Sequence, residues 1–110
     1  MYRRGAVWTA DLPKVGRKPV VIVSSRLVTL KLRPIVARIT STQRARTIKT
    51  VVALDAGEVE DLPLPSYVLA HDLFTLGEDG LVAHHGSLRP ERMMEVDAAV
   101  LVALGLRVPA

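Results

Sequence analysis

The sequence contains no cysteine, and only four of its 110 residues are aromatic. The lack of thiols excludes a disulfide framework and a metal site built on thiolate ligands. It also fits a reducing compartment, so we predict a cytoplasmic location. The three histidines, without a cluster of carboxylates, have poor metal-ligand spacing. We therefore predict neither a metal ion nor another cofactor.

Long apolar runs are also missing. The longest one, residues 96–106, is shorter than the ~20 residues that a membrane-spanning helix needs. The first residues, 1–12, lack the apolar centre of a secretory signal peptide. A chain of 110 residues is long enough for one domain with one hydrophobic core. We expect residues 1–110 to form a single domain that does not enter a membrane.

Acidic residues are almost absent from the first half of the chain. Residues 1–50 carry twelve Lys or Arg against one acid, Asp11, a net charge of +11. Residues 51–110 carry three basic residues against ten acids, a net charge of −7. Such an asymmetry favours a face that binds a polyanion, and a nucleic acid is the partner it predicts. The alternative is a dipolar protein whose two halves attract each other.

The chain up to residue 88 has the pattern of short strands joined by turns. Residues 18–25 form a nearly continuous Val/Ile run, which is typical of a strand buried on both faces. Residues 33–41 alternate, with Ala37 and Ile39 on one side and Arg38 and Thr40 on the other. The predicted strands are residues 5–12, 18–25, 33–41, 47–54, 67–76 and 80–88, with an acidic, proline-bearing loop at 55–66.

Residues 89–106 carry the signals of a helix. Pro90 suits its first position, Glu91 its first turn, and Gly105 its end. Its apolar stripe consists of Met93, Val96, Val100, Ala103 and Leu104, widened by Met94, Ala98 and Leu101. A helix this apolar must pack on the sheet or on a second subunit. The fold class predicted is mainly β with a C-terminal helix, built as a small, curled antiparallel barrel.

Two clusters of basic and hydroxyl side chains lie at strand ends. The stretch "ARITSTQRART", residues 37–47, ends a strand in Thr40 and Ser41, and Arg17 and Lys18 precede a buried strand. On one rim, a cation and a hydroxyl can hold a phosphate from two sides. RNA supplies its own nucleophile, the 2′-hydroxyl, so such a site needs no metal. The alternative is an exposed strand end that keeps polar residues in water, which is the interpretation we prefer for Thr42.

Further cations and histidines are candidates for RNA contacts. Arg38 shares a strand face with Thr40, while Arg44, Arg46 and Lys49 follow it and can track a single-stranded backbone. A solvated hairpin is the alternative for these three residues. The neighbours His84 and His85 point to opposite faces of a strand and are interpreted as structural. The remaining histidine is His71.

Four motifs, in order along nearly the whole chain, resemble one family. "RRGAVWTADL" is similar to a family opening Arg-Gly-(Asp/Glu)-Ile/Val-Trp, and "KPVVIVSS" to an Arg-Pro-Val-Val-Val-Ser strand. "IVARITST" is similar to a Val-Pro-Ile-Thr-Ser strand. "GSLRPERMMEVDAAVLVALGL" is similar to the ending Gly-Arg-Leu-Ser-Pro-Glu-x-Met-x-x-Val-Asp-x-Ala-Leu. The chain thus resembles the MazF/PemK toxins of bacterial toxin–antitoxin pairs.

The resemblance implies a CcdB/PemK-type fold, an SH3-like β-barrel with a C-terminal helix, assembled as a homodimer. It implies a metal-independent ribonuclease that cuts single-stranded RNA at short sequences and leaves a 2′,3′-cyclic phosphate and a 5′-hydroxyl. It also implies a partner antitoxin whose acidic and apolar tail occupies the RNA groove.

Carried over by motif, the catalytic arginine of the family falls on Lys18, with Arg17 beside it, and the catalytic threonine falls on Thr40, with Ser41 beside it. Lysine keeps the charge and can donate a proton, but it lacks the bidentate fork of arginine. His71 lies in "HDLFT", where the family has an Asp/Glu-Gln-Ile-Arg-Thr stretch.

Two alternatives to the ribonuclease stay open. One is a CcdB-like topoisomerase-binding toxin without enzymatic activity, although the chain ends "GLRVPA" rather than in a Trp-Gly-Ile type tail. The other is an RNA binder that lost cleavage together with the arginine.

Overall fold

A computed structural model of the protein describes residues 2–31, 33–42, 48–77 and 79–106. The elements are β1 (Ala6–Leu12), β2 (Gly16–Ile22), α1 (Arg26–Lys31), β3 (Ile35–Thr40), β4 (Val51–Leu54), β5 (Ser66–Thr75), β6 (Leu81–Ser87) and α2 (Pro90–Ala103). Within this part of the chain, no helix is both long enough and apolar enough to cross a membrane.

The six strands form one antiparallel sheet in the order β4-β5-β3-β2-β1-β6. The predicted class, mainly β with a C-terminal helix, is confirmed. The predicted closure into a barrel is not, because among the described residues the end strands β4 and β6 do not pair with each other. Bulges in the pairing of β1 with β6 and of β3 with β5 curl this open sheet.

The central strand β3 separates two apolar cores, as its alternating sequence predicts. Ala37 and Ile39 face a core shared with α2, and both are buried. Val36 faces a second core on the other side of the sheet, around Trp8 and Val20. Because successive side chains of a strand alternate, Arg38 and Thr40 lie on the same side as Val36. The polar end of β3 therefore continues the face that does not contact α2.

The helix α2 packs on β4 and β5 through one narrow stripe. Met93, Val96 and Ala99 are its buried residues. Met94 and Leu104, which the sequence also assigns to the apolar stripe, are 72% and 58% exposed, so the sheet does not cover them. The sheet thus covers only one side of this helix, and the side that carries Met94 remains open to solvent.

The short helix α1, Arg26–Lys31, was not expected from the sequence. It lies in the connection between β2 and β3, where Thr29 donates its backbone N–H to the carbonyl of Ser25. The hydroxyls of Ser24 and Thr29 lie 2.6 Å apart, and Ser24 Oγ accepts the backbone N–H of Ile35 at 3.0 Å. These contacts fix the start of β3 and therefore the position of Thr40 at its far end.

Candidate active site

A cleft of about 350 Å³ lies where β2 and β3 separate. Its walls combine two cations, four hydroxyl side chains and an apolar rim. The lining residues are Lys18, Pro19, Arg38, Ile39, Thr40, Ser41, Thr42, Leu62, Pro63, Leu64 and Ser66. Among the described residues that line it there is no carboxylate, so the cleft presents positive charge and hydroxyl groups to a ligand.

The cleft exists because the sheet opens between β2 and β3. The paired positions of these strands run from Ile22 and Val36 to Val20 and Arg38. Two residues further on, the same antiparallel register would bring Lys18 level with Thr40. Among the described residues no such pair forms, and each residue is paired only on its outer edge: Lys18 with Ala10 of β1, and Thr40 with Tyr67 of β5. The two strands separate, and Lys18 and Thr40 line the same opening from either side.

Pro19 explains where the sheet opens. The backbone N–H of Val23 donates to the carbonyl of Ile35 on β3. Along a strand, the N–H and C=O groups of every second residue point to the same neighbouring strand. The backbone of residue 19 therefore also points toward β3, opposite Ile39. A proline has no N–H to donate, so the ladder loses a hydrogen bond at this position. The residue that ends the pairing is thus the immediate neighbour of Lys18.

The hydroxyl of Thr40 is oriented by its own turn. Its Oγ1 accepts the backbone N–H of Thr42 and donates its own proton to the Oγ1 of Thr42, both at 3.2 Å. A hydroxyl can exchange one acceptor for another by rotating its proton. A ligand oxygen in the cleft can therefore replace the Thr42 hydroxyl as the acceptor, while the backbone N–H of Thr42 keeps the Thr40 side chain fixed.

Arg38 brings a guanidinium group to the same cleft. Its Nη1 lies 3.7 Å from Oδ2 of Asp72, and the two side chains are 27% and 33% exposed. Its Nε is buried and has no hydrogen-bond partner among the described residues. A distance of 3.7 Å is too long for a hydrogen bond, so Asp72 neutralises part of the charge without engaging the donors.

The apolar wall of the cleft, Leu62–Leu64, belongs to the loop between β4 and β5, which is anchored twice. Glu58 accepts two hydrogen bonds from Arg92 of α2, at 2.8 and 2.9 Å. Asp61 lies 2.8 Å from Nδ1 of His85, whose Nε2 lies 2.6 Å from the hydroxyl of Thr9. The loop is therefore tied to the helix on one side and to β1 and β6 on the other.

Comparison with known proteins identifies the family. A model described as the PemK-like, MazF-like toxin of type II toxin–antitoxin systems matches residues 3–104. The chain belongs to this family. Endoribonuclease MazF1 of Mycobacterium bovis and endoribonuclease MazF4 of Mycobacterium tuberculosis are each 38% identical over 107 residues, covering 96% of this chain and 95% of theirs.

Solved structures agree with the family assignment. An endoribonuclease from a mycobacterial species, in complex with its cognate antitoxin, superimposes with a TM-score of 0.82 at 36% identity. The match covers 97% of this chain and 98% of that one. The resemblance read from the four sequence motifs is thereby confirmed, as is the PemK/MazF type of fold.

Not every residue predicted for the site lines the cleft. Arg17 is exposed and lies across from Asp11 of β1. His71 is held at the opposite edge of β5, where its Nδ1 lies 2.7 Å from the hydroxyl of Thr50. Lys49 is exposed in the turn before β4. Arg44 and Arg46 lie outside the described residues.

The structure places in the cleft two residues that the sequence did not assign to the site, Thr42 and Leu64. Thr42, interpreted as an exposed strand end, lines the cleft of this toxin and contacts the hydroxyl of Thr40. Leu64 is 63% exposed on the cleft wall although it comes from a distant loop. The spacing of Thr40 and Thr42 is a sequence signal for such a turn, whereas no local signal places Leu64 beside Lys18.

His84 and His85 have the structural contacts that their sequence predicted. The ring of His84 lies 5.1 Å from that of Trp8, and His85 bridges Thr9 and Asp61. In the part of the chain that the structure describes, no three His, Asp or Glu side chains converge on a common point that could hold a metal ion.

Proposed function

We propose that this toxin is a metal-independent endoribonuclease that cuts single-stranded RNA through the 2′-hydroxyl. The observation that carries the proposal is the opening of the sheet at Pro19, which lets Lys18 and Thr40 line one cleft from two adjacent strands. The names of its relatives, endoribonucleases with identities of 38%, support the same activity.

The reaction is an exchange of phosphorus–oxygen bonds. The 2′-oxygen of RNA attacks the adjacent phosphorus, the bond to the 5′-oxygen breaks, and a 2′,3′-cyclic phosphate forms. The proton of the 2′-hydroxyl passes to water, and the departing 5′-oxygen takes a proton to become a hydroxyl. The catalyst therefore has to bind the phosphate oxygens as their charge grows and to supply that proton.

Each of these roles has a residue in the cleft. The ammonium of Lys18 attracts the phosphate, donates a proton to the 5′-oxygen and regains one from water. The oriented hydroxyl of Thr40 donates to a non-bridging phosphate oxygen, with Ser41 next to it. Arg17 is exposed outside the cleft, and we propose that it adds to the positive potential that attracts RNA to this part of the protein.

The surroundings of the cleft suit an unpaired RNA strand. Leu62 and Leu64 offer apolar surface against which bases can lie, and the separated edges of β2 and β3 offer backbone groups for hydrogen bonds. We propose that Arg38 holds RNA inside the cleft and that four further residues contact the RNA chain outside it. These residues are Arg44, Arg46, Lys49 and His71.

A cleavage assay in excess chelator tests this function. We expect the purified toxin to cut a single-stranded RNA containing all four bases at a few sites, at the same rate with and without EDTA. The new ends should be a 2′,3′-cyclic phosphate and a 5′-hydroxyl, since water is not the nucleophile. A single 2′-deoxy substitution at the cleaved position should abolish cutting at that position only.

Two results would contradict the proposal. Loss of cleavage on chelation would show that a metal is required, and cleavage at the 2′-deoxy position would exclude attack by the 2′-oxygen. A parallel DNA-supercoiling assay with bacterial topoisomerase distinguishes the CcdB-like alternative, which predicts inhibition of the topoisomerase and intact RNA.

We further propose that residues 1–110 act as one toxin domain, in the cytoplasm, where the RNA substrate is found. Its partner is an antitoxin with an acidic and apolar tail that occupies the cleft. The cations of the first fifty residues and the apolar wall Leu62–Leu64 support this partner, since they complement both properties of such a tail. A mycobacterial relative crystallised with its cognate antitoxin provides further support.

The toxin should assemble as a homodimer. The outer side of α2 and the residues after it expose Met94, Val102, Leu104 and Leu106, which favours a partner surface there. Light scattering should therefore give a mass near twice the 12.0 kDa of one chain. Replacing Met94 and Leu104 together by glutamate should shift the mass toward that of one chain. An unchanged mass in this double variant would place the interface elsewhere.

A further inference from the structure

We propose that Arg38 is a catalytic residue that binds the non-bridging oxygens of the reacting phosphate, so that the cleft uses a guanidinium from β3 and an ammonium from β2. This inference rests on the proposed ribonuclease activity. It goes beyond a general contact of Arg38 with RNA, because it assigns this side chain to the transition state.

Arg38 lies on the same face of the sheet as the two residues proposed to hold the phosphate. Arg38 is paired with Val20, two residues from Lys18 on β2, and it precedes Thr40 by two residues on β3. Residues two apart on a strand point to the same face. Arg38, Lys18 and Thr40 therefore share one face of the sheet, and all three line the same cleft. A phosphate held between Lys18 and Thr40 lies beside the guanidinium of Arg38.

The guanidinium of Arg38 is not fully hydrogen-bonded within the described part of the chain. Its Nε is buried and without a partner among the described residues, and Nη1 lies 3.7 Å from the carboxylate of Asp72. A buried donor without a partner is unfavourable, and the long distance to Asp72 leaves the other donors of the guanidinium available to a phosphate. Asp72 lies close enough to orient the group but too far to use its donors.

Arg38 and Lys18 differ in what they can do for a reacting phosphate. Lys18 is a point charge that can donate a proton, whereas a guanidinium keeps its proton and offers two parallel donors to two phosphate oxygens. As the 2′-oxygen attacks, charge grows on the non-bridging oxygens, where the fork of Arg38 binds. When the 5′-oxygen departs, it needs a proton, which Lys18 supplies. The two cations therefore have different tasks in one step.

The sequence also places an ammonium on β2 and a guanidinium on β3, which differs from the resembled motif. The residue before the strand proline is Lys18, where the resembled motif has an arginine, and Arg38 stands in "ARITS", where that motif has a proline. Compared with the motif, this chain therefore carries its guanidinium on β3, at Arg38, instead of on β2, at position 18.

Single-turnover kinetics on Arg38 variants test the inference. The variants are Arg38→Ala, Arg38→Lys and Lys18→Arg combined with Arg38→Ala, with Arg89→Ala as a control that removes one exposed positive charge at the start of α2. Binding is measured separately with an RNA that carries a 2′-deoxy nucleotide at the cleaved position. Thermal unfolding of each variant verifies that it is folded.

We expect Arg38→Ala to lower the cleavage rate at saturating enzyme by about 100-fold, while its affinity for the deoxy analogue falls by less than about 10-fold. Arg38→Lys should remain slow because it lacks the fork. Guanidinium chloride at millimolar concentration should raise the rate of Arg38→Ala, and equal concentrations of sodium or ammonium chloride should not. The combined variant, which replaces the proton donor at position 18 by a guanidinium, should be no faster than Arg38→Ala.

The opposite pattern would overturn the inference. If Arg38→Ala weakens binding but cuts as fast as the wild type at saturation, Arg38 only holds RNA. A rate for Arg38→Lys equal to that of the wild type would show that charge alone suffices. Either result leaves the ribonuclease activity of the wild type intact. Failure of the wild type to cut RNA at all would instead refute the proposed function.

Discussion

The variant in which alanine replaces both Lys18 and Thr40 will cut single-stranded RNA about 10³–10⁴-fold more slowly than the wild type. Each side chain contributes to a different part of the reaction. Loss of a positioned proton donor costs typically 10²–10⁴-fold, and loss of one hydrogen-bond donor to a developing oxyanion costs about 10²–10³-fold. Single-turnover cleavage of a defined RNA, quantified on a denaturing gel, measures all of these rates.

Because both groups act on one phosphate, their effects should not simply add. Each single variant should lose a large part of the activity, and the double variant should be only moderately slower than the worse of the two. Thr42→Ala is the matched control for Thr40→Ala: it removes a hydroxyl from the same cleft but leaves the backbone N–H that orients Thr40. Rapid cleavage by the double variant would refute the assignment of the active site.

Replacing Arg92 by methionine will destabilise the fold by about 3 kcal/mol at neutral pH, because it leaves a buried carboxylate without its partner. The side chain of Glu58 is only 5% exposed and accepts hydrogen bonds from Nε and Nη2 of Arg92. It also accepts the backbone N–H of Asp55 at 3.0 Å. Urea unfolding, followed by the fluorescence of Trp8, measures the free energy of unfolding.

The same pair makes stability depend on pH. The hydrogen bonds from Arg92 lower the pKa of Glu58 below its ordinary value of 4.5, and Glu58 in turn raises the pKa of Arg92. Because the unfolded chain binds a proton at Glu58 more readily, this stabilisation is fully present above about pH 4.5. It is lost as the pH falls through the pKa of the folded state. The stability difference between the wild type and Glu58→Gln should therefore shrink on acidification.

Arg89→Met is the matched control for this prediction, since Arg89 immediately precedes α2, three residues from Arg92, and its side chain makes no capping hydrogen bond to that helix. It should lose less than about 0.5 kcal/mol. Equal destabilisation by Arg89→Met and Arg92→Met would mean that the general charge of α2, not the pair with Glu58, is responsible. Loss of the anchor should also disturb the cleft, because Glu58 and the wall Leu62–Leu64 belong to one loop.

Much of the fold follows from local sequence patterns. All six strands and α2 were placed within a few residues, because alternation, β-branched runs and Pro90 are local signals. The helix α1 was missed because its six residues are too few for a helical period. The sequence leaves open whether the sheet or a second subunit covers Met94, since the width of an apolar stripe does not say how much of it a neighbouring sheet can cover.

The candidate site, like the fold, was predictable from the sequence only in part. Lys18 and Thr40 were assigned to one rim from residue type and strand position, and they do line one cleft. Arg17 and His71 lie away from the cleft. The pairing of β1 with β2 positions Arg17, and the contact with Thr50 positions His71. Strand pairing of this kind joins distant segments, so no local pattern specifies it.

By itself, the sequence determined the family, the mainly β class and the chemical character of the site: cations and hydroxyls without thiols. Only the tertiary structure decided that Pro19 opens the sheet, that a loop tied to Arg92 and His85 walls the cleft, and that Arg38 lies beside Lys18. The physical reason is that side-chain chemistry is a property of single residues. A cleft is a property of register, and register is set by hydrogen bonds and packing between segments far apart in the chain.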